Sequence, residues 1–296
     1  MATSKKKTSS KRKSGPTQAQ LADRHELYET AVQSPEADCE LFEEIFRDLR
    51  RRKPKLLRED FCGTAKLSRT WCQSARSRRA IGIDFDGPTL AEARSRNVEP
   101  FAKQLGDRLE LVQADVLEVV PGRVEPADMI VALNFSFCVF KQREQLRLYL
   151  ANALGGLAED GVMFLEMFGG TKAIDTDDEV RELDDFTYEW EQESFNPLNN
   201  DIVCHIHFQF PDGSRIEKAF TYVWRLWSVP ELRDLLLEVG FSDVQIYWET
   251  MDDEAEDDDD DDDDEGDGML RGTGEYEPRE VVEQQDSWLV YIVALR

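Results

Sequence analysis

The sequence lacks any apolar run longer than the eight residues Trp288–Leu295, well short of the ~20 that a membrane-spanning helix needs. No apolar stretch follows the basic N-terminus, so no secretory signal is expected. Cysteine is sparse and scattered. The five residues Cys39, Cys62, Cys72, Cys138 and Cys204 are odd in number and form no CxxC pair, which argues against a disulfide framework and a structural zinc site. A reduced, cytoplasmic protein is the expectation. Basic charge is also in short supply: 36 Lys and Arg face 62 Asp and Glu, for a net charge of −26.

The charge is unevenly distributed along the 296 residues. Residues 1–15 carry six basic side chains and no acid, and residues 252–267 carry fourteen acids and no base. Without both segments, 48 acids still face 30 bases (62 less 14, 36 less 6). Nucleic-acid binding rests on neutralising phosphates with Lys and Arg, so a large polyanion is a poor partner for this body. The two charged segments read as solvated and disordered, residues 1–20 as a basic tail and 252–267 as an acidic run. Hydrophobic residues still make up 41% of the chain, enough for a globular core.

Between the two segments the pattern is regular. Ser34-Pro35 reads as an N-cap followed by proline at the first helical position. Behind it, Leu41, Ile45 and Leu49 fall at helical spacing, with Phe42 and Phe46 beside them, up to Lys53-Pro54. Strands are expected at 55–61, 79–84, 109–113, 129–133 and 162–168, and helices at 66–76, 89–105 (broken near Pro100) and 142–157. Short apolar strands alternating with helices indicate βαβ units and a parallel sheet covered on both faces. The alternation then breaks. Residues 187–195, 202–210 and 214–227 read as antiparallel strands, the last two joined by Pro211-Asp212-Gly213. In the middle one, Ile202, Cys204, Ile206, Phe208 and Phe210 share a face, and His205, His207 and Gln209 share the other. No third metal ligand stands near the two histidines, so that second face is expected to be solvated. Phe220, Tyr222 and Trp224 read as core. A helix at 230–239 and strands at 243–248 and 288–295 complete the domain, with a long loop at 250–286 that holds the acidic run.

In an open parallel sheet, ligands bind beyond the carboxyl ends of the strands, near the switch in strand order. The first strand runs into Leu57-Arg58-Glu59-Asp60-Phe61-Cys62-Gly63-Thr64-Ala65, where Gly63 lets the backbone approach a ligand just before a helix begins. The second ends in Asp84, 25 residues after Glu59, placed to accept from two ribose hydroxyls. The third ends at Asp115, which can accept from an exocyclic amine. The fourth ends in Asn134-Phe135-Ser136-Phe137, where a reacting group would sit.

These motifs resemble the class I S-adenosylmethionine-dependent methyltransferases over roughly residues 21–250 plus the final strand. LREDFCGTA is similar to that family's first motif, with Glu59 at its acidic position and Gly63 at its central glycine. Phe61 and Ala65 stand where the family carries its outer glycines. The resemblance implies a doubly wound, Rossmann-like α/β fold: a seven-stranded, mostly parallel sheet with an antiparallel β insertion (187–227) after the fifth strand. It implies S-adenosyl-L-methionine as cofactor, with Glu59, Cys62, Gly63, Asp84, Phe85, Asp115, Val116 and Asn134 around it. Asp84 would take the ribose, Asp115 the adenine amine, and Asn134 the methionine end or the substrate, while Cys62 offers its backbone and not its thiol. Tyr28, Phe137 and Tyr222 are the candidates for lining the substrate. The stretches HELYETAVQSPE and WRLWSVPELRDLLLEVGF resemble small-molecule methyltransferases. The implied partner is a small-molecule acceptor, and the antiparallel strands offer a surface for a homodimer or a lid.

The implied reaction is direct in-line methyl transfer, in which the protein aligns donor and acceptor and excludes water. Two other readings compete with it. A nicotinamide-dependent oxidoreductase would need GxGxxG after the first strand, whereas Gly63 stands alone in CGTAKL. A scaffold protein of the same fold without activity draws its support from the two missing glycines and the acidic run.

Overall fold

The first described helix packs on the second of two sheets, not on the main one. In the computed structural model, which describes residues 15–251 and 272–296, helix α1 (Gln18–Leu21) begins within the last residues of the stretch expected to be a tail. It is tied to the turn at Asp212: Gln18 N donates to Asp212 Oδ2 (2.8 Å) and Ala19 N to Ser214 Oγ (3.0 Å). Helix α2 (Arg24–Val32) is capped by Asp23, and α3 (Pro35–Arg50) follows Ser34 as expected. The remainder of the basic tail and the acidic run lie outside the described residues.

Among the described residues the main sheet has eight strands, one more than expected. Strands β1 (Leu56–Asp60), β2 (Arg79–Asp84), β3 (Leu109–Gln113), β4 (Ala127–Ala132) and β5 (Leu157–Gly169) pair in parallel. Between them run α4 (Lys66–Ser74), α5 (Gly87–Ala93), α6 (Ala102–Leu105) and α7 (Arg143–Gly156). The expected single helix at 89–105 is divided: residues 94–98 form a π turn and 99–101 a 3-10 turn around Pro100. After the second sheet come α8 (Val229–Val239), held by a Ser228–Glu231 capping box, and β10 (Asp243–Met251), β11 (Gly272–Pro278) and β12 (Trp288–Leu295). The strand order is β11-β10-β12-β5-β4-β1-β2-β3. The chain moves outward from β1 in both directions, so the switch point lies between β1 and β4. Strand β12 inserts antiparallel between β5 and β10. The additional strand, β11, arises inside the region expected to be loop.

Alternation along the strands divides the core. Leu57, Met129, Val131 and Phe164 pack with Phe42, Phe46 and Trp71 of α3 and α4 on one face. Ile81, Ile130, Met163 and Ile292 pack with Leu146, Leu150 and Leu235 of α7 and α8 on the other. Among the described residues no helix is long and apolar enough to cross a membrane.

The insertion is a second sheet of four antiparallel strands, β6 (Asp178–Glu182), β7 (Thr187–Asn196), β8 (Asp201–Gln209) and β9 (Arg215–Arg225), where three were expected. Ile206 and Phe208 of β8 pack against Leu27 and Ala31 of α2. The opposite face differs from expectation, because His205 and His207 are buried and not solvated. His205 meets Glu193 (2.7 Å) and Thr221 (2.9 Å), and His207 meets Glu191 (2.8 Å), so carboxylates and Lys218 roof both rings.

Candidate functional site

The carboxyl ends of β1 to β4 open onto three cavities. The turn after β1 decides their shape. Phe61, Gly63 and Ala65 all have left-handed backbones, at φ +58°, +52° and +57°. For residues with a Cβ this costs roughly 1–2 kcal/mol each, so the turn keeps a glycine-type course at two positions that lack glycine. Packing offsets the cost. Ala65 is fully buried, and the Phe61 ring packs against Phe140 and Tyr149 with centroids 5.9 and 5.7 Å away. The Cys62 thiol is buried with Ala65, Leu90 and Ala93. Gly63 has open space where a Cβ would stand.

Asp84 ties this turn to the next strand. Its Oδ2 accepts from Gly63 N (2.9 Å) and its Oδ1 from Asp86 N (2.9 Å), which leaves each oxygen a further lone pair. Burial raises its carboxyl above the usual range. Asp84, Phe85, Asp115, Val116 and Phe61 line a cavity of about 150 Å³. Asp115 caps the short turn after β3 through Leu117 N (2.9 Å), and the Phe85 ring is 70% exposed beside the cavity. Four of the expected residues are thus brought together, with Phe61 as part of the wall.

Glu59 faces away from this cavity, towards α4, where Ser68 N (3.0 Å) and Ser68 Oγ (2.5 Å) donate to its Oε2. Only 7% exposed, it lines a cavity of about 310 Å³ with Asn134, Asp38, Glu166, Tyr276 and Tyr291. Burial pushes its carboxyl up to about 8 against the Ser68 bonds, which act in the opposite direction. Burial likewise raises Glu166 to about 7, with the Asp38 charge adding to it. Asp38 rises to about 6 by burial although the Tyr291 hydroxyl donates to it at 3.1 Å. Among the described residues no basic side chain lines this cavity. Asn134 and Phe135 both have left-handed backbones, φ +51° and +57°, and Asn134 N donates to Glu166 Oε2.

Asn134 and Glu166 also line a third cavity, of about 460 Å³, under the second sheet. Tyr28 and Tyr222, the candidates for lining the substrate, face it, joined by Trp190, Trp224 and Phe168. Trp224, expected as core, therefore belongs partly to a cavity wall. Phe137 does the reverse: expected to line the substrate, it is 0% exposed, because the 3-10 turn Ser136–Val139 directs it into the core. Helix α2 is latched over the β1 turn, with Glu29 Oε1 accepting from Thr64 Oγ1 (2.6 Å) and Asn97 Nδ2 (3.1 Å). The π turn is what brings Asn97 inward. Sequence reasoning passed over Glu166, although a lone acid within the apolar run Val162–Phe168 was a usable signal. Asp38 and Glu29, on helices, gave none. Among the described residues no group of three His, Cys, Asp or Glu is arranged to hold a metal ion.

No protein-family model matches the sequence, and no curated protein matches it. Solved structures do share its architecture, and its fold is that of S-adenosylmethionine-dependent methyltransferases of known structure. The chain is similar to the S-adenosylmethionine-bound amino pentose methyltransferase CalS10 of Micromonospora echinaspora, at TM-score 0.61 and 16% identity over 97% of this chain and 100% of that one. It is also similar to an S-adenosylmethionine-dependent methyltransferase of Clostridium acetobutylicum (TM-score 0.58, 15% identity, 90% and 96% covered). A third is the sugar N-methyltransferase KedS8 of a Streptoalloteichus species (TM-score 0.57, 12% identity, 100% and 99% covered).

Proposed function

We propose that the protein is an S-adenosylmethionine-dependent methyltransferase that acts on a small-molecule acceptor. The observation that carries this reading is the placement of the Asp84 and Asp115 carboxylates at adjacent strand ends around one cavity, beside the Gly63 backbone. The donor chemistry fits the cofactor. The spare lone pairs of Asp84 suit two ribose hydroxyls, Asp115 suits the adenine amine, and Phe85 and Val116 suit the faces of a flat ring. Carboxylates line the next cavity, with no basic neighbour among the described residues, which suits the sulfonium and ammonium of the methionine end near Glu59 and Asn134. When bound, the cofactor supplies a methyl group that already carries its leaving group. The protein's share is to bind, align and exclude water, and the latch on Thr64 holds α2, whose Tyr28 and Val32 line the cavity under the second sheet, against the β1 turn. The state of CalS10 with S-adenosylmethionine bound supports the same cofactor here, and the acidic body supports a small acceptor over a polyanion.

A thermal-shift titration with S-adenosylmethionine, S-adenosylhomocysteine and NADH tests this. A ligand at a hundred times its Kd adds about 2.7 kcal/mol of stability, so both adenosyl compounds should raise Tm clearly and NADH should not. Asp84→Ala should weaken both by about a hundredfold, the loss of two hydrogen bonds to a charged acceptor. No shift in the wild-type protein overturns the reading, and an unchanged affinity in the variant removes Asp84 from the site.

Gly63→Ala separates backbone conformation from ligand approach. Ala65 already tolerates the same φ, so the variant should fold with a loss of about 1 kcal/mol. The new Cβ would stand where the ligand must pass, and S-adenosylhomocysteine affinity should fall at least tenfold. Equal affinity would show that the ligand does not approach this peptide.

A further inference from the structure

We propose that the methyl acceptor is an amine, held in the cavity under the second sheet by aromatic faces and the Glu166 carboxylate, with Glu166 taking its proton. The inference rests on the methyltransferase reading above and names the substrate class of that same site. Three rings of the second sheet form one wall: Tyr222 stacks on Trp224 at 4.3 Å between centroids and on Trp190 at 5.9 Å. Phe135, packed on Phe168 at 4.5 Å, meets Trp224 edge-on. Aromatic faces of this kind attract ammonium and alkylammonium groups.

The charge of the cavity points the same way. Among the described residues its lining holds Glu166, Glu179 and Glu249 against a single cation, Arg181. Arg181 is engaged within this lining, 3.9 Å from Glu179 and over the Tyr188 ring at 4.5 Å, so among the described residues Glu166 and Glu249 have no cation beside them. Glu166 Oε2 accepts from Asn134 N, and among the described residues nothing donates to its Oε1. The site is thus short of positive charge by at least one. A hydroxyl, thiol or carboxylic acid acceptor reacts as an anion or close to one, and would have to carry that charge beside Glu166. An amine enters as a cation, reacts as a neutral group and leaves as a cation, so each state other than the reacting one is attracted.

The step balances without another reactant. The entering ammonium gives a proton to the Glu166 carboxylate. The freed nitrogen lone pair forms the N–C bond to the methyl carbon as the C–S bond breaks, and that electron pair stays on sulfur. The product is the methylated ammonium, a neutral thioether and protonated Glu166, which returns its proton to water. Burial has brought Glu166 to about 7, a value matched to accepting a proton near neutral pH. The groups facing it are Asp38 of α3, Tyr28 of α2, Tyr276 of β11 and Tyr291 of β12.

The test uses Trp190, Trp224 and Trp288 of the cavity wall as fluorescent reporters. The full-length protein, saturated with S-adenosylhomocysteine, is titrated with phenethylamine and with its hydroxyl isostere 2-phenylethanol at pH 7.5. Phenethylamine should bind at least tenfold more tightly. Glu166→Gln should bring the two within about twofold of each other by weakening the amine alone, and Trp190→Leu should weaken the amine more than the alcohol. Equal binding of the two probes, binding of neither, or a preference that survives Glu166→Gln overturns the proposal. S-adenosylhomocysteine stabilisation of the same wild-type sample distinguishes the two failures: with that shift present only the amine assignment falls, and with it absent the methyltransferase reading falls as well.

Discussion

Asp60→Ala is expected to cost about 3–5 kcal/mol of folding stability, the largest loss at any single position of the first strand. Strand β1 is buried along its whole length although three of its five residues are charged. Glu59 points to the α4 face, so Arg58 and Asp60 point to the α7 face and meet there with both side chains fully buried. Arg58 Nε and Nη2 donate to the two carboxylate oxygens at 2.7 and 3.0 Å, and the Tyr149 hydroxyl donates to Oδ2 at 3.0 Å. Arg58 Nη1 has no partner among the described residues and lies against Gly156, where a Cβ would come within 2.5 Å of it. Removing the carboxylate leaves a guanidinium without an acceptor in the core, and Arg58→Met leaves a carboxylate held only by Tyr149. Removing both charges is a different matter. Arg58→Met with Asp60→Asn keeps an acceptor for Tyr149 and leaves no buried charge, so most of the loss should return. Urea unfolding of the two single variants and the double variant decides this, and a double variant as unstable as the sum of the singles would refute it. The pair lies directly beneath the Phe61 turn, and Tyr149 touches both. The expected consequence of its loss reaches the ligand-binding turn as well as the core.

The alternating α/β order was legible because each strand is a short apolar run between turn residues, and β2, β3 and β12 have the bounds that their composition suggested. Two strands were not legible. Strand β6, Asp178–Glu182, is exposed at every position, and β11, Gly272–Pro278, holds one ring among glycines and acids. Both are edge strands whose pairing comes from a neighbour's free backbone groups and not from an apolar face. The site divides in the same way. The strand-end positions of Asp84 and Asp115 could be read from the sequence because a strand end fixes where the next side chain goes. Phe137 could not, because its direction depends on a tight turn after β4. Asp38, Glu166 and Tyr291 come together from α3, β5 and β12, a juxtaposition set by strand order and invisible to local pattern.

That juxtaposition makes the stability of the ligand-free protein depend on pH in an unusual direction. Asp38, Glu59 and Glu166 are raised to about 6, 8 and 7, whereas in the unfolded chain they return to the usual carboxylate range near 4. Between pH 5 and 8 the folded protein therefore holds protons that the unfolded chain has released, and stability falls as pH rises through this window. The carboxylates with lowered values, such as Asp86 and Glu125, act oppositely, but their contribution is complete by about pH 5. Since a tenfold difference in proton affinity between folded and unfolded chain is worth about 1.4 kcal/mol and the three groups titrate together, a fall of several kcal/mol is expected. Tm of the ligand-free protein should drop steadily from pH 5 to pH 8. Glu59→Gln, which keeps an acceptor for Ser68, should flatten that slope. The same charges govern ligand choice. At pH 8 the cavity is more negative, so S-adenosylmethionine, with its sulfonium, should gain on S-adenosylhomocysteine as pH rises. A Tm profile that is level in the wild-type protein, or identical in Glu59→Gln, would show that these carboxylates are charged already at pH 5 and that the cavity is more hydrated than its walls indicate.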